Sequence, residues 1–347
     1  MVSERKISEY GKGVKMIDFT NCTLDNLRAY DGANGSKICV FYNDERYMIK
    51  FPALAKDNKD IHYSNGCLNE HIASSIFSSL GIETQETKLG VYRNKSVVAC
   101  KDFCEPGERI LNFGMIKNRC IDSDKSGFST ELQSVLDAID MQQVYDPLKV
   151  KDHFWKMFAA DALLGNFDRH NGNWGIVVNE INNHVRIAPV YDNGSCLYPQ
   201  LTDKQMENIL NDRNELDRRL YVFPNSALKL NDKKINYLDF LSNTKDPNCI
   251  EALRYVQRHY DQKKVDKILN KTPMSDIKRN FYHTMITARK EHIIDKAMEQ
   301  HLDKNIRLKD GSYITGKELQ SLILSGKTVS LWKEDKDKIH TIEKPDR

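Results

Sequence analysis

The segment Gly165-Asn166-Phe167-Asp168-Arg169-His170-Asn171-Gly172-Asn173 limits the folds open to this chain more than any other stretch. It crowds Asn166, Asp168, Arg169, His170 and Asn173 between two apolar flanks. Ahead of it, Phe154, Met157, Phe158, Ala162 and Leu164 recur at helical spacing, which predicts a helix from about Val150 into Leu164. Behind it, Trp174-Gly175-Ile176-Val177-Val178 reads as a strand. Flanks of this kind belong in a core and carry the polar cluster in with them. Burying so many polar groups is costly unless each finds a partner, a ligand or a metal. Asn171-Gly172 alone is an ordinary turn signal, and a single Asp after a helix commonly caps a turn, so it is the density of the cluster that asks for more.

A second motif follows closely. Val185-Arg186-Ile187-Ala188-Pro189-Val190 reads as a strand returning from a turn at Asn182-Asn183, and it runs into Tyr191-Asp192-Asn193-Gly194-Ser195. A strand end followed by Asn-Gly is often a plain turn. Set beside the preceding loop, Asp192 has a second use. Phosphoryl transfer needs a carboxylate to orient the attacking hydroxyl, and Mg2+ takes hard oxygen ligands. Asp168 would be the first, with Asn173 and Asp192 as a neutral and a charged metal ligand.

The first hundred residues read as strands, helix, strands. Lys37–Tyr42 and Arg46–Phe51 flank Asn43-Asp44-Glu45 as one hairpin; Thr87–Tyr92 and Ser96–Cys100 flank Arg93-Asn94-Lys95 as another. Between them Ile72, Ile76, Phe77 and Leu80 keep helical spacing, with Gly81 as the stop. From about Thr202 to Gln300 the pattern is mostly helical. A short appendage follows, ending in a charged tail from Lys333 to Arg347 that is expected to fray. The division expected is an N-lobe at 1–105, a helical C-lobe at 106–306 and an appendage at 307–347.

Composition excludes several classes. With 40% hydrophobic and 29% charged residues, the chain is expected to be globular rather than disordered. A net charge of +3 is too small to argue for nucleic acid. No apolar stretch approaches a membrane span, and the charged N-terminus does not resemble a secretory signal. The eight cysteines form no CxxC pair and read as free thiols of a reducing cytoplasm, with export by a signal-less route left open.

The two motifs together resemble the catalytic loop and metal motif of the HipA-like serine/threonine kinases, and Asp168-Arg169-His170-x-x-Asn173 is similar to the core of phosphatidylinositol kinases. The resemblance covers about Gly32 to Ser195. It implies an α+β, two-lobed protein-kinase-like fold with a β-rich N-lobe, and an ATP- and Mg2+-dependent transfer of phosphate to a protein hydroxyl, Ser or Thr ahead of Tyr. In that frame Asp168 is the catalytic base, Asn173 and Asp192 hold magnesium, and His170 helps neutralise the phosphoryl group. It also implies a phosphate loop at Gly32, Asn34, Gly35, Ser36 and Lys37, although a short Gly-Asn loop is usually a turn. Lys50 would pair with Glu70, although each reads equally as a solvated residue. The adenine hinge would fall at Ala99–Phe103, including Lys101 and Phe103. Ser36 is an autophosphorylation candidate.

The extra N-terminal subdomain of the larger members is not expected here; the chain resembles the compact, stand-alone members, and an antitoxin-like regulator is a weaker expectation than a protein substrate. Arg213, Arg218 and Arg219 read either as a site for an acidic target or as a solvated helix face. A lipid or small-molecule phosphotransferase and a non-catalytic nucleotide-binding module remain as alternatives. The former lacks a membrane-directed segment; the latter would be marked by loss of Lys50, Asp168, Asn173 or Asp192, and all four are present.

Overall fold

Both predicted hairpins turn more tightly than their sequences suggest. In the computed structural model Asn43 and Asp44 have φ of 52° and 62°, and Arg93 and Asn94 of 48° and 63°. Two consecutive left-handed residues make a two-residue turn whose twist matches the strands it joins. Glu45 and Lys95 therefore belong to strands, opposite Tyr42 and Tyr92. The structure describes residues 4–6, 15–28, 30, 37–54, 62–120, 127, 129–302, 305–309, 313–325, 327, 329–331 and 340–342. Gly32, Asn34, Gly35 and Ser36 of the expected phosphate loop lie outside the described residues.

The N-terminal strands are β1 (Glu4–Lys6), β2 (Lys15–Asp18), β3 (Thr23–Leu24), β4 (Lys37–Tyr42), β5 (Glu45–Lys50), β6 (Ala53–Leu54) and β7 (His62–Tyr63); after helix α1 (Gly66–Ser79) come β8 (Thr87–Tyr92) and β9 (Lys95–Lys101). Seven of them form one sheet in the order β1-β2-β8-β9-β5-β4-β3, antiparallel except where β2 runs parallel to β8. Alternation divides its faces. Val40, Tyr47, Ile49, Tyr92, Val97 and Ala99 pack on one side around Phe19. Met48, Val98 and Cys100 pack on the other with Cys67 of α1. Lys50, two residues from Met48, is carried by the same rule to the α1 side.

A three-stranded sheet begins the second half: β10 (Glu108–Asn112), β11 (Gly175–Asn179) and β12 (Val185–Ile187), in that order. Between β10 and β11 lie α2 (Phe113–Cys120), α3 (Leu132–Met141) and α4 (Pro147–Leu164). The sequence reading passed over β10, α2 and α3. Helix α3 does carry helical spacing at Leu132, Val135, Leu136 and Ile139, whereas β10, with two apolar residues in five, becomes a strand by pairing with β11 along its whole length. Helix α4 starts where Asp146 caps the amide of Leu148 at 2.9 Å, with Pro147 in the first turn, and stops at Gly165, whose φ of 65° suits glycine. The loop bearing Asp168 departs from that stop.

The helical remainder contains α5 (Asp203–Leu210), α6 (Arg213–Asp217), α7 (Tyr237–Asn243), α8 (Pro247–His259), α9 (Gln262–Lys271), α10 (Asp276–Arg289) and α11 (Lys296–Leu302). It is interrupted, against expectation, by a hairpin of β13 (Lys229–Leu230) and β14 (Lys233–Lys234). Arg213 pairs with Asp217, and Arg218 and Arg219 with Glu215, one helical turn away in each case, as on a solvated helix face. In the appendage β15 (Asn305–Arg307) pairs with β16 (Tyr313–Thr315), α12 (Gly316–Leu324) follows, and β17 (Val329–Leu331) pairs with β18 (His340–Ile342). Those three tail residues are thus strand, where fraying was expected. All eight cysteines are free.

Helix α1 is shared between the halves. Its Leu68, Ile72, Ile76 and Phe77, with Leu80 just past its end, join one continuous core with Phe154, Trp155, Phe158, Leu253 and Phe281. Within that core Trp155 is fully buried against Phe154, Phe158 and Phe240. Trp155→Ala is expected to cost about 3–5 kcal/mol, as large-to-small changes at buried aromatics do, read from denaturant unfolding. Val222→Ala, at a side chain 62% exposed, should stay within about 0.5 kcal/mol of wild type.

His153 on α4 generates a pH prediction. Its Nε2 is buried with no hydrogen-bond partner among the described residues. Burial, reinforced by the positive charge of Arg169, pushes its pKa down to about 4. The unfolded chain takes up this proton more readily than the folded one, so stability should fall as pH drops from about 6.5 towards 4. His153→Phe is expected to flatten that part of the stability–pH curve measured by thermal unfolding.

Candidate active site

Lys50, Glu70 and Asp192 arrive from three elements and meet. Lys50 ends β5, Glu70 lies in the second turn of α1, and Asp192 follows Val190-Tyr191. Val190 makes an isolated bridge to Thr84 beyond the end of β12 at Ile187, where the sequence predicted continuous strand. Lys50 Nζ donates to Glu70 Oε2 at 2.9 Å and to Asp192 Oδ1 at 3.0 Å. Glu70 is 2% exposed, and its other oxygen accepts the Asn193 amide at 2.8 Å. The solvated readings of Lys50 and Glu70 are therefore set aside. Burial alone would lower the lysine's pKa, but Asp192 and Glu70 hold it well above its ordinary value. The same contact acts on Asp192. Desolvation in the cleft would raise its carboxyl, yet Lys50, Lys37 and Arg169 hold it down at about 2. Lys37, at the start of β4, is the register partner of Lys50, which places it within electrostatic reach of Asp192 and Glu70.

Asp192 itself sits at a φ of 59°, a region an L residue occupies only when its surroundings dictate it. Those surroundings are explicit. Asn193 is fully buried; its amide bonds Glu70, its Nδ2 bonds Ser74 Oγ at 3.0 Å, and its Oδ1 accepts from Arg169. Gly194 leaves space that a Cβ would contest, 3.3 Å from Glu70 Oε2.

The loop from Asn166 to Asn173 is organised around Arg169. Its guanidinium is 4% exposed and forks onto Asp161 of α4, Nε to Oδ2 at 2.9 Å and Nη2 to Oδ1 at 3.1 Å. Nη1 then reaches the carbonyls of Asn173, at 3.1 Å, and Tyr191. Burial would lower its pKa, but Asp161 raises it above the ordinary arginine value. Asn166 donates to Asp161 Oδ1 at 2.9 Å and accepts the Asp168 amide at 3.0 Å. Neither Asp161 nor Asn193 was singled out from the sequence. Asp161 had a signal, a lone carboxylate inside Ala159-Ala160-Asp161-Ala162-Leu163-Leu164, since an unpaired aspartate is almost never fully buried.

Around this anchor the predicted residues take definite positions. Asn173 Nδ2 donates to the Asp168 carbonyl at 2.8 Å, leaving Oδ1 with no protein donor among the described residues. His170 turns its Nδ1 back to accept the Gly172 amide at 3.0 Å. Desolvation raises the pKa of Asp168, and the nearby Asp192 charge adds to it, while His170, Arg169 and Lys234 oppose it. Hard oxygens of one neutral amide and one carboxylate held ionised suit Mg2+ completed by phosphates and water.

At the expected hinge, Lys101 is engaged: its amide bonds Glu86 O at 2.8 Å, its carbonyl accepts Gln85 Nε2 at 2.9 Å, and its side chain pairs with Glu45. The Asp102 amide bonds Arg46 O, and its carboxylate holds Arg28 and Tyr30. The Phe103 amide and the Asp102 carbonyl have no partner among the described residues. The Phe103 ring lies 5.8 Å from that of Tyr191, the residue before Asp192, so the strand exit adjoins the segment carrying Asp192.

The chain has relatives among known proteins. Residues 32–272 match the HipA-like C-terminal domain family. The chain is 46% identical over 295 residues to the serine/threonine-protein kinase CtkA of Helicobacter pylori, covering 84% of this chain and 91% of that protein. The crystal structure of the H. pylori proinflammatory kinase CtkA superposes with a TM-score of 0.79 at 47% identity, over 82% of this chain and 97% of that one. A HipA–HipB–operator DNA complex from Shewanella oneidensis aligns at a TM-score of 0.47 and 15% identity, over 80% of this chain and 70% of that one, too distant to carry weight. The chain belongs to the HipA-like family. It is a protein kinase with the two-lobed α+β fold of that family. No helix among the described residues is long and apolar enough to cross a membrane.

The buried arginine yields a test. Arg169→Gln leaves the Asp161 carboxylate buried without its cation and should cost about 3–5 kcal/mol. Pairing Arg169→Met with Asp161→Leu should recover part of that stability but not activity, as shown by unfolding curves alongside phosphate-transfer rates.

Proposed function

We propose that this kinase transfers the γ-phosphate of Mg-ATP to serine or threonine hydroxyls of a protein substrate. The observation that carries the reading is Lys50 Nζ held between Glu70 and Asp192 at 2.9 and 3.0 Å, the lysine–glutamate pair and metal carboxylate of a phosphotransferase assembled at one point. The adenine edge would accept a hydrogen bond from the Phe103 amide, a refinement of the hinge that replaces Lys101. Lys50, with Lys37 beside it, would meet the phosphates. Asn173 Oδ1 and Asp192 would hold Mg2+, which when bound supplies charge neutralisation to the phosphates.

Asp168 would accept the proton of the acceptor hydroxyl as its oxygen attacks phosphorus and the bond to ADP breaks. Its raised pKa makes it a better base than a free carboxylate, and Asn166, through the Asp168 amide, fixes its place in the loop. His170 stands in the same loop, where it would offset charge on the transferred group. Rate enhancement would come chiefly from positioning and a preorganised field.

Purified enzyme with γ-labelled ATP and Mg2+ is expected to label protein on phosphoserine or phosphothreonine. Asp168→Ala and Asp192→Ala should each lower the rate by about 10²–10⁴-fold with near-wild-type circular dichroism. Wild-type transfer by Asp168→Ala would remove the base assignment, and label found only in extracted lipid would replace a protein acceptor with a lipid.

A further inference from the structure

The β13–β14 hairpin stands beside the catalytic loop and has no part in the nucleotide site. It pairs Lys229 with Lys234 and Leu230 with Lys233 across a tip at Asn231-Asp232, both at positive φ. The hairpin is held firmly from outside. Glu131 accepts the Asn231 and Asp232 amides at 2.8 and 3.1 Å, and the Lys229 amide bonds Thr130 O at 2.8 Å. Its two ends are tied to the loop that carries the base. Tyr237, just past the hairpin, donates to Asn166 O at 2.6 Å. Phe223, just before it, lies 5.9 Å ring to ring from Phe167, the neighbour of Asp168.

This surface is charged and partly apolar. Lys233 and Lys234 are exposed, and neither they nor Lys229 has an ion pair or side-chain hydrogen bond among the described residues. Some surface cations elsewhere on the helical half, Arg213, Arg218, Arg254 and Lys204, pair with a carboxylate one turn away. Others such as Lys263 and Lys264 do not among the described residues, so the hairpin lysines are set apart by their place beside the Asp168 loop. Lys234 is also close enough to Asp168 to favour its charged form. Around them Phe223 is 37% exposed, Val222 62% and Leu230 46%. Unpaired cations with exposed apolar side chains, next to the residue that must receive the acceptor hydroxyl, complement an extended peptide of opposite charge.

We propose that the Lys229–Lys234 hairpin, with Phe223, is the acceptor-peptide platform of this enzyme, and that it selects serine or threonine residues flanked by aspartate or glutamate. The inference rests on the protein-kinase reading above and adds the substrate class. Lys233 and Lys234 act as specificity residues; they are not required to touch the transferred phosphate. Exposed charge pairs are individually weak, so two or three together should give a preference of about tenfold in kcat/KM, carried mainly by KM and reduced by salt.

The test uses the full chain, Mg-ATP and a dephosphorylated peptide library made from a bacterial lysate, with labelled sites sequenced. Wild type should label sites enriched in Asp and Glu within about three residues of the acceptor, the reach of a short extended segment along the hairpin. Lys233→Glu combined with Lys234→Glu should invert that enrichment towards Lys and Arg, a gain that a misfolded variant cannot show. The proposal is overturned by a wild-type set with no charge bias, or by a double variant that keeps the wild-type bias while its KM for ATP rises. Self-labelling with no labelled peptide overturns it too. If neither the enzyme nor any peptide is labelled, the protein-kinase reading fails first.

Discussion

The Arg169–Asp161 pair holds the catalytic half of this molecule together. Two opposite charges, each almost wholly removed from water, are tolerable only when their hydrogen-bonding capacity is met. Here it is met by the parts that must be aligned. Asp161 is rigid on α4 and also takes Asn166; Arg169 takes the carbonyls of Asn173 and Tyr191 and the side chain of Asn193. One guanidinium thereby fixes the loop carrying Asp168 against the segment carrying Asp192. The planar fork matters, since a lysine could satisfy one of these directions but not all of them.

From that anchor the order passes across the cleft. Asn193 hands Arg169's constraint to α1 through Glu70 and Ser74, and Glu70 hands it to Lys50 in the sheet. Helix α1 is tied to the same half by Asn69, whose amide bonds the carbonyls of Cys196 and Leu197 and whose oxygen accepts from Tyr282. The helix bearing Glu70 thus packs with the helical core although it precedes most of it in sequence. A glutamate on such a helix has little freedom to swing out, and the lysine–glutamate pair is built in by packing.

Electrostatics follow from the same geometry. Asp168 and Asp192 share a cleft and are pushed in opposite directions, one raised by desolvation and its acidic neighbour, the other held at about 2 by three cations. Two carboxylates in one cleft are thus set apart in proton affinity by their surroundings, without any difference in residue type.

The sequence by itself determined which chemistry the chain carries. The polar density from Asn166 to Asn173, Asp192 at a strand end, and the order of Lys50 and Glu70 ahead of them were all legible, because loops with such spacing are local features and the strand and helix periods are local too. The two hairpins and helices α1 and α4 were legible for the same reason, whereas β10 was not, since it is a strand only through its pairing with distant β11. The tertiary structure alone decided the anchors. Asp161 and Asn193 look like a helix residue and a turn residue until a buried arginine meets both, and Lys50 is indistinguishable from a solvated lysine until Glu70 and Asp192 close on it. It also decided that Tyr237, just past the Lys229–Lys234 hairpin, bonds Asn166 of the loop carrying Asp168. Burial and long-range pairing make these assignments, and neither is written in any one stretch of chain.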